Sequence, residues 1–406
     1  MRVRALHLEQ FRLYENVDLQ FSPGINLFYG SNGQGKTSLL EAIFLCTCAR
    51  SHRTARDQEL IRHHQNHYTV ELFLSDQEKI CDQQDMESIR ILFTQADAVP
   101  GGKGRSQRLV WHNGVQLDRI AEMMGLFHAV MFAPEDIMLV KGNPQGRRRF
   151  LDLLLSQLKR PYFLLLQKYV QTLNQRNRLL KQIRECCSMR TGDRLLRGDL
   201  QDQLDLWTDA FLSVAAAITM IRKSCVESLN TEAAISHALI SGDRERLRIR
   251  YTSSKNVEEA ATEEECREAY QERYSKVRDE EISRGSSLLG PHRDDLDIQL
   301  NDLPLKIYGS QGQQRTAVLA LKHAELRYIH QQSGSKPALL LDDVLPELDE
   351  GRRLALLSAI DDAQVFLTCT DVESVHEKLR SLLHTRESAV YEVSASTVRQ
   401  TERKIV

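Results

Sequence analysis

The chain lacks the cysteine spacing of a metal site, although it holds eight cysteines in 406 residues. Cys46 and Cys48 are separated by one residue and Cys186 and Cys187 are adjacent, whereas zinc sites need paired C-x-x-C spacing. Histidines at ligand spacing are missing from the sequence too. We therefore interpret the cysteines as free thiols, which fits a reduced, cytoplasmic protein.

Long hydrophobic runs are also missing. The longest lie near residues 163–166 and 213–220, well short of the roughly 20 apolar residues that span a bilayer. Charged residues begin at Arg2, which argues against a signal peptide. We therefore expect a cytoplasmic protein with no membrane partner.

A strong net charge is absent, since the sum is only −2 at pH 7. Overall charge therefore does not indicate a nucleic-acid partner. The distribution is uneven, however: residues 141–200 hold 14 Lys and Arg against four acids, and residues 255–281 hold five bases against 10 acids. Such local asymmetry is more informative than the total.

A full phosphate-binding loop, G-x-x-x-x-G-K-T, lies between a predicted strand at residues 25–29 and a predicted helix at residues 38–48. Its glycines allow backbone N–H groups to converge on phosphate oxygens at a helix N-terminus. We expect Lys36 to reach the β- and γ-phosphates of ATP and Thr37 to ligate Mg²⁺. The predicted nucleotide-binding residues of this segment are Gly30, Ser31, Asn32, Gly33, Gln34, Gly35, Lys36, Thr37 and Ser38.

Two acids complete the predicted site from the other end of the chain. Asp342 ends an apolar strand at residues 338–341, where its carboxylate can accept a water of the magnesium shell. Asp343 is the candidate that orients or deprotonates the attacking water, the alternative being a structural acid. The two chain ends must therefore fold together around one ATP.

A third motif opens a predicted helix between these two. The residues Ser310, Gln311, Gly312 and Gln313 offer a hydroxyl group, backbone donors and a helix dipole to an anion. Taken alone they form a capping turn. In chain order between loop and acidic strand, they match the segment with which an ABC-type ATPase contacts the γ-phosphate of its dimer partner.

Together these motifs, with Glu347-Leu348-Asp349 after the acidic strand, resemble the head of SMC-like ATPases. More narrowly, several blocks spread over most of the chain resemble the RecF family of bacterial recombination mediators. These blocks are Ser51-His52-Arg53-Thr54, Pro134-Glu135-Asp136, Arg147-Arg148-Arg149-Phe150-Leu151-Asp152, Gln175-Arg176-Asn177 and Gly290-Pro291-His292-Arg293-Asp294-Asp295-Leu296.

The resemblance implies a weak, DNA-stimulated ATPase that forms a homodimer around two ATP molecules. Such proteins act with RecO and RecR to direct RecA onto single-stranded gaps, at or near junctions with duplex DNA. By the same resemblance, Asp342 is the Walker B acid, residues 310–313 are the signature that acts in trans, and Arg12 approaches the phosphates. A solvent-exposed surface arginine is the alternative for Arg12.

The sequence departs from strong ABC hydrolases in three places. The signature lacks the Leu-Ser-Gly-Gly-Gln form, the second acid is Asp343 rather than Glu, and Thr368-Cys369-Thr370 stands where a switch histidine is expected. A shorter carboxylate and no histidine both favour slow turnover. Pro346 leaves the geometry of the following loop open.

DNA contact is predicted from clustered Lys and Arg, because neutralisation of phosphates dominates duplex binding. A solvated helical face is the alternative for each residue, and no base-reading helix is evident, so we expect little base specificity. The candidates are Arg147, Arg148, Arg149, Lys159, Arg160 and Lys168.

The expected fold is α/β: an ABC/SMC-type ATPase head, with a mixed sheet bearing the P-loop and an antiparallel β lobe, plus a mostly α-helical inserted arm. We assign residues 1–145 and 286–406 to the head and residues 146–285 to the arm. Pro161 is expected to start or kink an arm helix, and residues 305–308 are expected to form a strand.

Three other functions fit parts of the pattern. A DNA-bridging scaffold would bind ATP without hydrolysing it. A transporter ATPase would need a membrane partner and usually a histidine switch. An ATP-gated nuclease would need a further acidic metal cluster, which the residues after Asp349 do not supply.

Overall fold

The fold was analysed in a computed structural model. It describes residues 1–54, 56–76, 86–96, 106–188, 194–344, 352–353, 363–371 and 387–401. The expectations for residues 346–349 therefore lie outside the described residues. The strands are β1 (Arg2–Phe11), β2 (Tyr14–Gln20), β3 (Ile25–Tyr29), β4 (His67–Ser75), β5 (Glu87–Thr94), β6 (Gln107–His112), β7 (Val115–Gln116), β8 (Ala129–Phe132), β9 (Leu247–Thr252), β10 (Asp295–Leu300), β11 (Leu303–Pro304), β12 (Ala338–Leu341), β13 (Val365–Cys369), β14 (Ser388–Ser394) and β15 (Thr397–Thr401). The helices are α1 (Lys36–Cys48), α2 (Met138–Lys141), α3 (Pro144–Leu158), α4 (Arg160–Ser188), α5 (Arg194–Ser241), α6 (Lys255–Glu259), α7 (Glu263–Arg284), α8 (Leu305–Tyr308) and α9 (Gln311–Ser333).

A six-stranded sheet in the order β15-β14-β3-β13-β12-β8 forms the centre of the head. Its strands are parallel except for the outermost pair, β14 and β15. Strands β12 and β13 are buried at every residue, which explains their continuous apolar sequence. Because the strands are parallel, the ends of β3 and β12 meet at one edge of the sheet, where the phosphate loop and Asp342 follow them.

An antiparallel sheet in the order β2-β1-β4-β5-β6-β7 forms the lobe beside the central sheet. Helix α1 is buried along almost its whole length, and its apolar residues share one hydrophobic core with both sheets. A helix that is apolar on all sides must be buried on all sides. The lobe therefore covers the helix that carries the phosphate loop.

The arm consists mainly of α4, α5 and α7, which pack against one another. Pro161 lies in the first turn of α4, as expected. The inner parts of these helices share a hydrophobic core with the head, since Phe211 of α5 and Leu339 of β12 belong to the same cluster. A separate small cluster joins α4 and α5 farther out, and its buried residues are Leu179, Leu180, Ile183 and Leu204.

Helix α5 corrects the expectation that no segment could span a membrane. By length and composition alone, Gly198–Ser241 is long and apolar enough to do so. Half of its most apolar window is buried inside the protein, where α5 packs against α4, α7, α9 and β9. Packing within the protein accounts for that buried half.

The α/β fold with a P-loop sheet, an antiparallel lobe and a largely helical arm is confirmed, but three local expectations differ. Residues 305–308 form helix α8 rather than a strand. Strand β9 lies within the segment expected to be helical and pairs with β10 of the head. Strands β8, β14 and β15 complete the central sheet beyond the strands that the sequence pattern predicts, and β8 has only four residues.

Candidate nucleotide-binding site

The phosphate loop connects β3 directly to the N-terminus of α1. Lys36 is buried, and its Nζ donates hydrogen bonds to the carbonyl oxygens of Gly30 at 2.6 Å and Ser31 at 3.1 Å. The side chain therefore lies across the loop. In this position its charge faces the region to which the loop and the helix N-terminus would attract phosphate.

Two loop glycines are required by their surroundings. Gly30 and Gly35 have φ angles of +151° and +111°, which other L-residues rarely adopt. A Cβ atom at Gly30 would lie 2.1 Å from the carbonyl oxygen of Val393, and one at Gly35 would lie 2.6 Å from Tyr14 Oη. The loop is thus packed between β14 and the first turn of the lobe.

The remaining loop residues differ in exposure. Ser31, Asn32 and Gly33 are exposed, whereas Ser38 is buried and its N–H donates to the carbonyl oxygen of Gly35. Gln34 Oε1 accepts a hydrogen bond of 2.6 Å from the N–H of Ala395, in the turn between β14 and β15. That turn therefore helps to fix the loop.

The structure places Thr37 beside Asp342. Thr37 Oγ1 and Thr368 Oγ1 each donate to Asp342 Oδ1, both at 2.9 Å. Burial raises the pKa of Asp342, and the two hydroxyl donors oppose that change by stabilising the carboxylate. A hydroxyl and a carboxylate on adjoining segments are oxygen ligands of the type that Mg²⁺ prefers, so these residues fit the predicted magnesium site.

Asp343 adopts a left-handed backbone conformation, with φ of +46°. Its N–H donates to Thr368 Oγ1 at 2.9 Å. The Oδ1 atom of Asp343 is buried and has no hydrogen-bond partner among the residues that the structure describes. A buried acceptor without a donor is suited to receive a hydrogen bond or a proton from a bound group.

Arg12 lies at the turn between β1 and β2, also with positive φ. Its guanidinium makes two hydrogen bonds of 2.9 Å to the buried carboxylate of Glu41 on α1 and one of 2.7 Å to the Glu59 carbonyl. The arginine is therefore anchored to the helix that carries the phosphate loop. The approach of Arg12 to the phosphates stays a prediction.

The signature residues cap the N-terminus of α9. Ser310 Oγ accepts from the N–H of Gln313, and Gln313 Oε1 accepts from the N–H of Ser310, which is a capping box. Gln313 Nε2 also donates to Glu245 at 2.7 Å. No hydrogen bond joins residues 310–313 to the phosphate loop within the described part of this single chain.

The six basic candidates for DNA contact differ in placement, and Arg147 requires a correction. Arg147 is buried, its Nε and Nη2 atoms pair with the carboxylate of Asp295, and its Nη1 donates to two backbone carbonyls. Its donors are therefore engaged inside the fold and do not form a surface for DNA. Sequence alone could not distinguish it from its neighbours.

Arg148 and Arg149 are half-buried and bonded to backbone carbonyls. Lys159 is half-buried, Lys168 is exposed, and Arg160 is exposed with its nearest carboxylate, that of Glu122, 3.5 Å away. The exposed residues keep their charge available to solvent.

Sequence reasoning missed two residues of the site. Thr368 contacts both acids, although the sequence of its segment is notable only for the missing switch histidine. Tyr14 packs against Gly35, and its buried hydroxyl has no hydrogen-bond partner in the described ranges. Neither contact could be read from local sequence, since both depend on how separate strands meet.

Comparison with known proteins agrees with this arrangement. A family model described as an AAA domain matches residues 5–185. The chain is 37% identical to the DNA replication and repair protein RecF of an Exiguobacterium species, covering 96% of this chain and 99% of that relative. It is also 37% identical to the RecF of Bacillus subtilis, covering 94% of this chain and 96% of that relative. A solved structure of the recombination mediator protein RecF-ATP in the RecFOR pathway matches with a TM-score of 0.83 at 30% identity, covering 98% of this chain and 97% of that chain.

Proposed function

The chain belongs to the RecF family of DNA replication and repair proteins, and on that premise we propose that it is an ATP-dependent DNA-binding protein of recombinational repair. In this proposal it dimerises on ATP, binds at single-strand gaps and duplex junctions, and hydrolyses ATP slowly. It acts in the cytoplasm with RecR and RecO, and through them favours the loading of RecA.

The observation that carries the proposal is the contact between Thr37 and Asp342 at the edge of the central sheet. It joins the phosphate loop to the acidic strand, and it supports the proposal that Thr37 and Asp342 serve a nucleotide-bound cation. When bound, Mg²⁺ would neutralise phosphate charge, which Lys36 and the loop N–H groups would do from the other side.

Dimerisation is proposed because, among the residues that the structure describes, the capped N-terminus of α9 makes no hydrogen bond to the phosphate loop of the same chain. A second chain could bring its Ser310 region to that loop, and each nucleotide would then be bound by residues of both chains. ATP would thus favour the dimer, because it binds better to the associated state than to the separate chains.

Slow hydrolysis is proposed from the residues around the acids. Asp343 has a short side chain, and Thr368 occupies the strand that would precede a switch histidine. Without a switch histidine, the carboxylate of Asp343 would have to accept the proton of the attacking water without its help, and we expect this to make hydrolysis slow. We interpret hydrolysis as the step that releases the dimer from DNA rather than as a source of mechanical work.

We assign DNA binding to the exposed side chains of Arg160 and Lys168 where the arm meets the head, with the half-buried Lys159, Arg148 and Arg149 beside them. We retain residues 146–285 as the arm in this proposal, with β9 at its junction with the head. Phosphate contacts of this kind position DNA without reading its bases, so binding should depend on DNA structure and on salt.

The proposal is tested by the sedimentation mass of the wild type and of Lys36→Arg with ATP and Mg²⁺, with and without gapped duplex DNA. The wild type should become a dimer with ATP and hold DNA more tightly in that state, whereas Lys36→Arg should do neither. The exposed lysine variant Lys276→Arg is the matched control and should behave like the wild type. If mass and DNA binding are independent of ATP, the DNA-bridging scaffold replaces this proposal.

A further inference from the structure

A cleft of about 240 Å³ lies between α3, α4, α5 and the loop before β10. Four arginines line it, and we call it the arginine pocket: Arg50, Arg148, Arg149 and Arg222. It is not part of the nucleotide site. Arg50 follows the C-terminal end of α1, and a helix of 13 residues separates it from the phosphate loop by roughly 20 Å.

The charge of the arginine pocket is poorly balanced by its own lining. Asp152 is the lining carboxylate, and its Oδ1 already accepts hydrogen bonds from Tyr162 and from Arg222 Nη2. His292 also lines the cleft. Burial lowers the pKa of His292 to about 4, so this side chain adds no positive charge at pH 7. Its Nδ1 is hydrogen-bonded to the Tyr169 hydroxyl.

Three of the four arginines are fixed in place by contacts inside the fold. Arg222 is 3% exposed, and its Nε, Nη1 and Nη2 atoms donate to Tyr162, the Pro291 carbonyl and Asp152, so it contributes positive charge to the pocket and is not one of the arginines that contact the anion. Arg148 donates to the carbonyl oxygen of Asp294 at 2.7 Å. Arg149 donates to the carbonyl oxygens of Ser51 and Thr54. Such arginines lose little further freedom when they bind an anion.

Arg50 differs because it is exposed and lies over the ring of Phe163, 5.8 Å from its centroid. It has no ion-pair partner among the residues described in the structure. Burial and the charge of Arg50 lower the pKa of Arg149, against the charge of Asp152. Burial and the charge of Arg222 lower the pKa of Arg148, against the charges of Asp295, Asp294 and Asp152. A bound anion would reduce the repulsion that remains within these two arginine pairs.

We propose that the arginine pocket binds a phosphomonoester dianion. Arginine forks pair with phosphate oxygens through two parallel hydrogen bonds, and a dianion suits a cluster of several guanidinium groups. A terminal phosphate can enter a concave cleft, whereas a phosphodiester within a strand carries one charge and is flanked by two sugars. The source is the terminal phosphate of a DNA strand or a free phosphate, and only the first of these rests on the proposed function.

The pocket itself is tested with inorganic phosphate as the probe. Thermal unfolding of the full chain is measured in phosphate and in chloride at equal ionic strength, for the wild type, Arg50→Gln, Arg50→Gln/Arg148→Gln and the control Arg327→Gln on the surface of α9. Phosphate should stabilise the wild type and the control, and the apparent affinity should fall about tenfold for each pocket arginine removed.

The proposal is overturned if phosphate gives no stabilisation beyond chloride. It is equally overturned if phosphate stabilises Arg50→Gln/Arg148→Gln as much as the wild type. Phosphate would then be bound at the phosphate loop, which is intact in that variant. Arg50→Gln removes no hydrogen bond between described residues, so its result stands even if the double variant folds poorly.

The source is then identified by the affinities for duplex DNA with 5′-phosphate, 5′-hydroxyl, 3′-phosphate or 3′-hydroxyl ends. A preference for a phosphorylated end that disappears in Arg50→Gln/Arg148→Gln assigns the pocket to a strand terminus. If the wild type binds all four DNA ends equally and inorganic phosphate still stabilises it, the arginine pocket is assigned to free phosphate. Failure to bind any DNA contradicts the proposed function instead, and leaves the phosphate measurement to decide the pocket.

Discussion

Thr37 Oγ1 lies 2.9 Å from Asp342 Oδ1, although 305 positions separate the two residues in the chain. This contact closes the nucleotide site across the central sheet, where the ends of β3 and β12 meet. Thr368 Oγ1 donates to the same oxygen and accepts from the N–H of Asp343. One hydroxyl therefore sets the positions of both acids.

Thr368→Val should lower the rate of ATP hydrolysis by about tenfold, because the side chain keeps its shape but loses the two hydrogen bonds that orient Asp342 and Asp343. ATP affinity should change little, since Lys36 and the loop are untouched. Steady-state hydrolysis and nucleotide titration measure the two effects. The exposed neighbour variant Thr370→Val is the control. Unchanged hydrolysis in Thr368→Val would contradict this role.

Tyr14→Phe should raise the free energy of unfolding by about 1 kcal/mol, because it removes a buried hydroxyl that lacks a hydrogen-bond partner in the described structure. Denaturant unfolding measures this change in the free energy of unfolding. Tyr162→Phe is the matched control, since its hydroxyl bonds to Asp152 and Arg222, and it should lower stability instead. A loss of stability in Tyr14→Phe would mean that the hydroxyl has a partner.

The sequence allowed the α/β class, the phosphate loop and the acidic strand to be predicted, because each is a contiguous motif with its own chemistry. It could not separate Arg147 from Arg148 and Arg149, since only the fold brings Asp295 to the first of them. The alternation of Leu247 and Ile249 with polar residues fits strand β9, but the surrounding helical pattern obscured it. Tyr14 and Thr368 depend on contacts between distant segments.

Arg176→Met should destabilise the protein by about 3–5 kcal/mol, because it leaves the carboxylate of Glu281 buried without its charge partner. Both side chains are fully buried, and they form an ion pair between α4 and α7. Adding Glu281→Leu should recover part of the loss, though not the hydrogen bond from the Leu288 N–H. Denaturant unfolding measures both variants.

The control for this pair is Arg267→Met. Arg267 forms an exposed ion pair with Asp209, and exposed pairs contribute less than about 1 kcal/mol. If Arg176→Met destabilises the protein no more than the control does, the buried pair does not hold α4 and α7 together.

Asp294→Asn should flatten the dependence of stability on pH between about pH 4 and pH 6. Burial raises the pKa of Asp294 to about 6, although Tyr251 and Ser253 donate hydrogen bonds to it. In that range the folded state binds more protons than the unfolded state, so this residue makes the free energy of unfolding fall as pH rises. The fall should be on the order of 2–3 kcal/mol.

Paired unfolding curves of the wild type and Asp294→Asn at several pH values isolate this contribution from those of other groups. The exposed variant Asp302→Asn should follow the wild type. Parallel profiles for the wild type and Asp294→Asn would contradict the raised pKa.

Asp343→Asn separates the slow ATPase from the DNA-bridging scaffold. The φ angle of +46° at residue 343 is one that asparagine tolerates well, so the variant should fold and should keep the N–H bond to Thr368. Removing the carboxylate should lower ATP hydrolysis by about 100-fold or more, because the variant loses the group that we assign to orient or deprotonate the attacking water. ATP-dependent dimerisation and DNA binding should persist, and release from DNA should slow.

Single-turnover hydrolysis and the DNA dissociation rate measure these effects, with Asp371→Asn as the matched exposed control. If Asp343→Asn leaves both rates unchanged, the carboxylate does no chemistry, and the scaffold interpretation gains support.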